Sequence, residues 1–143
     1  MPFEHPITAR FHEVDRAGIV FFGRAFEYAH ICYEEMLIAA FDDAEVVMGA
    51  RRFVMPIVHA EADYQRPIRQ FDRLVAALDL ERLSKRSMTS RITLRGAADP
   101  TDVRVVVRRK QAFVNAENFT GMERPAFIDA GFARIGLVAE EIV

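Results

Sequence analysis

Apolar and polar residues alternate with period two near the start of the chain. Ile7, Ala9 and Phe11 stand against Thr8, Arg10 and His12, which predicts a half-buried strand over residues 7–13. The alternation stops at Asp15 to Gly18, which reads as a loop. From Gly23 to about Ala40 the period changes: Phe26, Ala29, Tyr33, Met36, Leu37 and Ala40 recur three and four apart, with Glu27, Glu34 and Glu35 among them. One apolar stripe therefore runs down a helix of about four to five turns. After a short irregular stretch containing Gly49 and two arginines the pattern becomes β-rich, over Phe53 to Tyr64, Arg73 to Leu83, Ser87 to Leu94 and Val103 to Asn115. Pro67 and the tract 96–102, GAADPTD, punctuate it as turns. Beyond Pro125 a terminal helix is predicted, broken by Gly131 and Gly136. There is no internal repeat, low-complexity tract or linker, so residues 1–143 read as one domain. One strand, one long helix and at least four further strands on short connections describe an α+β domain, an antiparallel sheet wrapped around a mostly buried helix. The pattern alone also permits other α+β sheets.

Composition narrows the partners. A formal charge of -2 gives no global field for nucleic acid or an anionic membrane. No apolar run approaches the roughly eighteen residues of a bilayer span, and the N-terminal segment carries charges almost at once, unlike a signal peptide. The single cysteine, Cys32, excludes an internal disulfide and a cysteine-based metal cluster, so a cytoplasmic location is expected, with Cys32 as a small buried hydrophobe in the helix. No metal site is expected, since neither a third ligand nor a zinc-like spacing is evident, and no cofactor is implied.

The chemistry concentrates in residues 12–37, HEVDRAGIVFFGRAFEYAHICYEEML. Asp15 stands just ahead of a glycine turn and a long helix. A helix start offers unpaired N–H groups and a positive dipole end, so a carbonyl oxygen docked there gains negative charge at low cost. An acid beside such a site suggests acyl transfer; the plainer reading is an aspartate that caps the turn and aromatics that fill a core.

The segment DRAGIVFF resembles the signature of the 4-hydroxybenzoyl-CoA thioesterase family of hotdog-fold proteins, in which Asp-x-x-Gly-(Ile/Val)-Val-aromatic-aromatic precedes the central helix. The resemblance implies that Asp15 attacks an acyl-CoA thioester or activates a water. It also implies that Gly18 lets the backbone turn beside the thioester, and that the backbone N–H of Phe22 donates to the oxyanion. Many relatives carry a proline where Arg16 stands. The subgroup acting on short acyl chains often has histidine at the place of Gly23, so this chain departs from that subgroup. A second block, FVMPIVHAEADYQRPIRQFDRL, together with His30 and Tyr33-Glu34-Glu35, is similar to the branch that hydrolyses 1,4-dihydroxy-2-naphthoyl-CoA, which points to an aromatic acyl group. His59 is then expected to face the acyl pocket and bind a ring hydroxyl, and His30 and Glu34, one turn apart, to form a polar pair.

Lys85 and Arg86, ahead of Ser87 at a strand start, partly match the family's basic run that contacts the nucleotide end of CoA. Arg108, Arg109 and Lys110 do not, because strand alternation sends neighbours to opposite faces. The resemblance further implies a homodimer joined sheet edge to sheet edge, with Asp15 of one chain completed by pocket residues of its partner, and a dimer of dimers beyond that. Two other readings stand beside the thioesterase: a hotdog hydratase or dehydratase, which would need a catalytic histidine paired with an acid, and a protein that holds an acyl thioester without turning it over.

Overall fold

The computed structural model describes residues 1–41 and 53–143. The predicted irregular stretch around Gly49 lies outside them. The chain runs β1 (Phe3–Thr8), a 3-10 turn (Phe11–Glu13), α1 (Arg24–Ala40), β2 (Phe53–Val54), β3 (Ile57–Tyr64), β4 (Arg73–Leu83), β5 (Ser87–Gly96), β6 (Val103–Ala112), β7 (Val114–Asn115), α2 (Ala126–Arg134) and β8 (Glu141–Ile142). The main sheet has the order β1-β4-β5-β6-β3, antiparallel throughout, and β8 lies parallel beside the end of β4. β2 and β7 pair separately.

The helix forms where seventeen residues hold neither glycine nor proline, and it buries the predicted stripe: Ala29, Tyr33, Met36, Leu37 and Ala40, with Ala25, Tyr28 and Cys32 beside them. Its partner is one face of the sheet. β5 alternates strictly, with Met88, Ile92 and Leu94 inward, and β6 adds Val105 and Val107. Burial pushes the Cys32 thiol up to about 12, so it is an inert part of this core, as expected. On the opposite face Arg91 binds Asp79, Glu81 and Glu140, and Arg108 binds Glu81, which laces β4, β5, β6 and the segment before β8.

Three predicted elements change. The first strand is Phe3–Thr8, earlier than the alternation suggested, because the Glu13 carboxylate accepts the Arg10 N–H at 2.8 Å and folds 11–13 into a 3-10 turn that leaves Phe11 exposed. The strand predicted from Phe53 to Tyr64 is divided at Met55-Pro56, where proline offers no N–H to the ladder, and a bulge follows between Ile57 and His59. The last predicted strand is divided at Phe113, whose N–H turns to the Arg86 carbonyl.

Gly131 does not break α2. A Cβ there would run into the ring of Phe41, a buried residue that follows α1, so the glycine is a close-approach point that lets α2 dock. Gly136, at φ 71, ends the helix segment. Gly131→Ala is expected to cost about 1–3 kcal/mol by overpacking. Urea unfolding monitored by circular dichroism checks this, and an unchanged midpoint would refute the close-approach role.

Candidate active site

Asp15 sits in a small folded loop pinned on three sides. Within the loop its N–H donates to the Ile19 carbonyl at 2.8 Å, and the Gly18 N–H closes a turn onto the Asp15 carbonyl at 3.0 Å. Gly18 has φ +82, a conformation that glycine adopts without strain, which is why this residue type stands there. Outward, Val20 N–H donates to the Ile68 carbonyl at 2.7 Å and Ile19 bridges Arg69. Toward the helix, the buried Tyr28 hydroxyl donates to Glu13 at 2.9 Å, and burial with that carboxylate raises the phenol pKa. The loop is thus fixed before any ligand arrives.

The Asp15 carboxylate itself is exposed. Its Oδ1 accepts the Ala17 N–H at 2.8 Å, so the plain turn-capping role is present. Its other oxygen has no partner among the described residues, and Asp15 lines a cleft of about 540 Å³. Ile19, Val20, Phe22, Ala25, Ile68 and Val105 give that cleft mostly apolar walls. Phe22 lies at the start of α1, where Gly23 is the N-cap and no side chain caps the helix. The N–H groups of Phe22 and Gly23 take no hydrogen bond among the described residues. Asp15, Gly18 and Phe22 therefore belong to one loop and helix start, with an unpaired carboxylate oxygen and unpaired N–H donors beside the same cleft.

Sequence reasoning passed over Tyr64. As the last residue of β3 its hydroxyl donates to the Phe22 carbonyl at 2.6 Å, tying the sheet edge to the helix start, and burial raises its pKa. Its period-two position on the inward side of β3 was the available signal. Arg104 supports the far wall, binding Asp72 at 2.7 Å and the Pro67 carbonyl at 3.0 Å.

The other expected site residues are not brought to this cleft within one chain. His59 pairs with Lys110 in the β3/β6 register, beside Ala60 opposite the buried Arg109, so it stands on the sheet face turned away from α1 and meets Glu61 at 3.5 Å. Within one chain, that register turns it away from the Asp15 cleft. Lys85 and Arg86 are exposed in the β4–β5 turn, level with Ala112. Val105 of the cleft is seven residues further along β6, about 23 Å away. His30 and Glu34 do pair, Nε2 to Oε1 at 3.1 Å. Of the basic triplet, Arg108 and Lys110 point outward and Arg109 inward, as alternation requires. Among the described residues no cluster of three or more histidine, cysteine or acidic side chains could hold a metal, and no helix is long and apolar enough to cross a membrane.

The chain is similar to several known proteins. A 1,4-dihydroxy-2-naphthoyl-CoA hydrolase from Prochlorococcus marinus is 34% identical over 87 residues, 56% of this chain and 58% of that protein. A hydrolase of the same name from Rippkaea orientalis is 37% identical over 71 residues, 50% of this chain and 51% of that one. The matches thus span a little over half the length of these relatives. Among solved structures, a 1,4-dihydroxy-2-naphthoyl-CoA thioesterase from Synechocystis superposes with a TM-score of 0.84 at 17% identity, covering 96% of this chain and 100% of that one. The dynemicin thioesterase gives 0.81 at 21% identity, covering 100% and 99%. These likenesses show the hotdog fold. Residues 17–101, more than half of the chain, match the family described as the thioesterase superfamily, a stretch that runs from the loop after Asp15 through α1 and β5 to the turn before β6, and the chain belongs to that superfamily.

Proposed function

We propose that this protein hydrolyses an acyl-CoA thioester, with an aromatic acyl group, to the free acid and CoA. The observation that carries the reading is that Asp15, with one carboxylate oxygen unpaired, and Phe22, with its N–H unpaired, line one largely apolar cleft. The thioester carbonyl oxygen accepts from the Phe22 N–H, which draws charge onto that oxygen as the carbon is attacked. Asp15 then acts in one of two ways. Its free oxygen attacks the carbonyl carbon, the tetrahedral intermediate expels the CoA thiolate, and water hydrolyses the resulting mixed anhydride. Alternatively the carboxylate takes a proton from a water that attacks the same carbon. A hydratase would need a histidine set against an acid, and no histidine lines this cleft among the described residues. The aromatic acyl group is supported by the names of the curated relatives.

The same reading includes pairing of two chains. β3 closes the sheet on one side and carries exposed Ile57, Val58 and Tyr64 along an unpaired edge. Antiparallel pairing of two β3 edges about a two-fold axis sets the Tyr64 end of one chain beside the Ile57 end of the other. That arrangement carries Lys85 and Arg86 of the second chain toward the Asp15 cleft of the first, where the CoA phosphates need cations. Two such dimers then form the tetramer.

Asp15→Asn is expected to lower thiol release by about 10²–10⁴-fold with the fold intact. Turnover near the wild-type value would remove Asp15 from the chemistry. Lys85→Ala with Arg86→Ala is expected to raise KM for CoA esters severalfold and to leave KM for an N-acetylcysteamine thioester unchanged. Equal shifts on both would exclude contact with the nucleotide. Mixing the Asp15→Asn chain with the Lys85→Ala/Arg86→Ala chain and assaying below KM should restore activity above either parent, since one hybrid site then holds both intact halves. A fully active monomer by light scattering would contradict the shared site.

A further inference from the structure

α1 begins without the usual devices that fix a helix end. Its N-cap is Gly23, which has no side chain to accept a hydrogen bond, and Phe26 stands three residues on, where a capping-box glutamate would reach back to the N-cap N–H. A capping box would consume that donor. Here the N–H groups of Phe22 and Gly23 both stay free among the described residues, and the helix start is held from its carbonyl side instead.

The Phe22 carbonyl accepts the Ala25 N–H at 3.3 Å, a long bond against the 2.9 Å of the Arg24 N–H on the Phe21 carbonyl. The Tyr64 hydroxyl supplies the short bond, at 2.6 Å to the same Phe22 oxygen. Its base is firm. Tyr64 ends β3 opposite Val105, the next two N–H groups, of Gln65 and Arg66, both donate to the Arg104 carbonyl, and the Arg104 guanidinium binds Asp72 and Asp102. Tyr64, Phe22, Val105 and Asp15 all line the one cleft. Burial raises the phenol pKa, so the hydroxyl keeps its proton and donates throughout the neutral range.

Docking of the helix does not need this bond, because α1 packs through its buried stripe and Tyr64 is itself half exposed. What the bond adds lies at the cleft. Hydrogen bonds in a chain polarise one another, so a donor on a peptide oxygen makes the N–H of that peptide a stronger donor in turn. We propose that Tyr64 is a positioning residue for thioester hydrolysis: its hydroxyl, bound to the Phe22 carbonyl, holds and polarises the helix start so that the free N–H groups there stabilise the oxyanion. This rests on the thioesterase reading.

Tyr64→Phe keeps the ring in the cleft and deletes the one hydroxyl. On 4-hydroxybenzoyl-CoA its kcat is expected to fall about tenfold with KM within about twofold, because negative charge on the carbonyl oxygen grows in the transition state. The melting temperature and the mass by light scattering should not change. The donors are read directly by infrared difference spectroscopy of the same ester, labelled with carbon-13 at the thioester carbonyl and bound to the slow Asp15→Asn chain. Binding should lower the carbonyl stretching frequency, and adding Tyr64→Phe should return part of that lowering. If Tyr64→Phe does not fold, a ring-fluorinated tyrosine at position 64, which ionises at lower pH, replaces it. Its kcat should then fall as pH rises through the phenol pKa while wild type holds its rate, and parallel profiles overturn the proposal. Unchanged kcat in folded Tyr64→Phe, or a loss of kcat with no change in carbonyl frequency, also overturns it and leaves the hydrolase reading in place. If wild type releases no thiol from any ester, the hydrolase reading fails and the carbonyl frequency on the wild-type chain decides: no difference from Tyr64→Phe overturns the role of Tyr64.

Discussion

Burial of the α1 stripe against one face of the sheet is the constraint on which everything else depends. Ala29, Cys32 and Met36 are fully covered, and each opposing strand must present an apolar side chain at every second position to cover them. This fixes the direction of every residue on β4, β5 and β6. It also fixes where polar chemistry can sit. The Asp15 loop lies beyond the N-terminal end of α1, where backbone donors run out of helical partners, so reactive groups stand at the margin of the core and the core itself stays dry.

The exceptions to that dryness are informative because the rule is otherwise so strictly kept. Ser90, Arg109 and Gln111 are the buried polar residues among those described, and they are near neighbours on β5 and β6. A sheet selected only for stability would carry leucine or valine there, since an ion buried without a good partner weakens the fold. Here Arg109 bonds His30 and lies over the Tyr33 ring, and Gln111 bonds the Tyr33 hydroxyl and the Met55 carbonyl, so both tie the sheet to α1.

Much of this was legible in the sequence. The helix was visible because its period persists over seventeen residues, and the strands from Arg73 onward because period-two alternation and turn residues agree. The Asp15 loop was legible through its motif and Gly18. What was not legible depended on tertiary placement. His59 reads as an inward histidine until the bulge after Ile57 and its pairing with Lys110 turn it outward. The place of Lys85 and Arg86 at the far end of the strands from the Asp15 loop was not legible either, because a linear motif carries no distance. Arg109 was passed over for a related reason: alternation correctly separated it from Arg108 and Lys110, but only the packed structure shows that its inward partners leave two nitrogens unbonded.

The hydroxyl of Tyr64 on the Phe22 carbonyl has a mechanical meaning as well. A peptide group is a rigid plane, so gripping its oxygen also sets the heading of the N–H on its other side, here that of Gly23. The sheet edge therefore acts as a lever on the first peptide of the helix. Whatever seats β3 in place also trims the angle at which the helix start meets a ligand, so the rigidity of an outermost strand becomes a setting of the electrostatic centre.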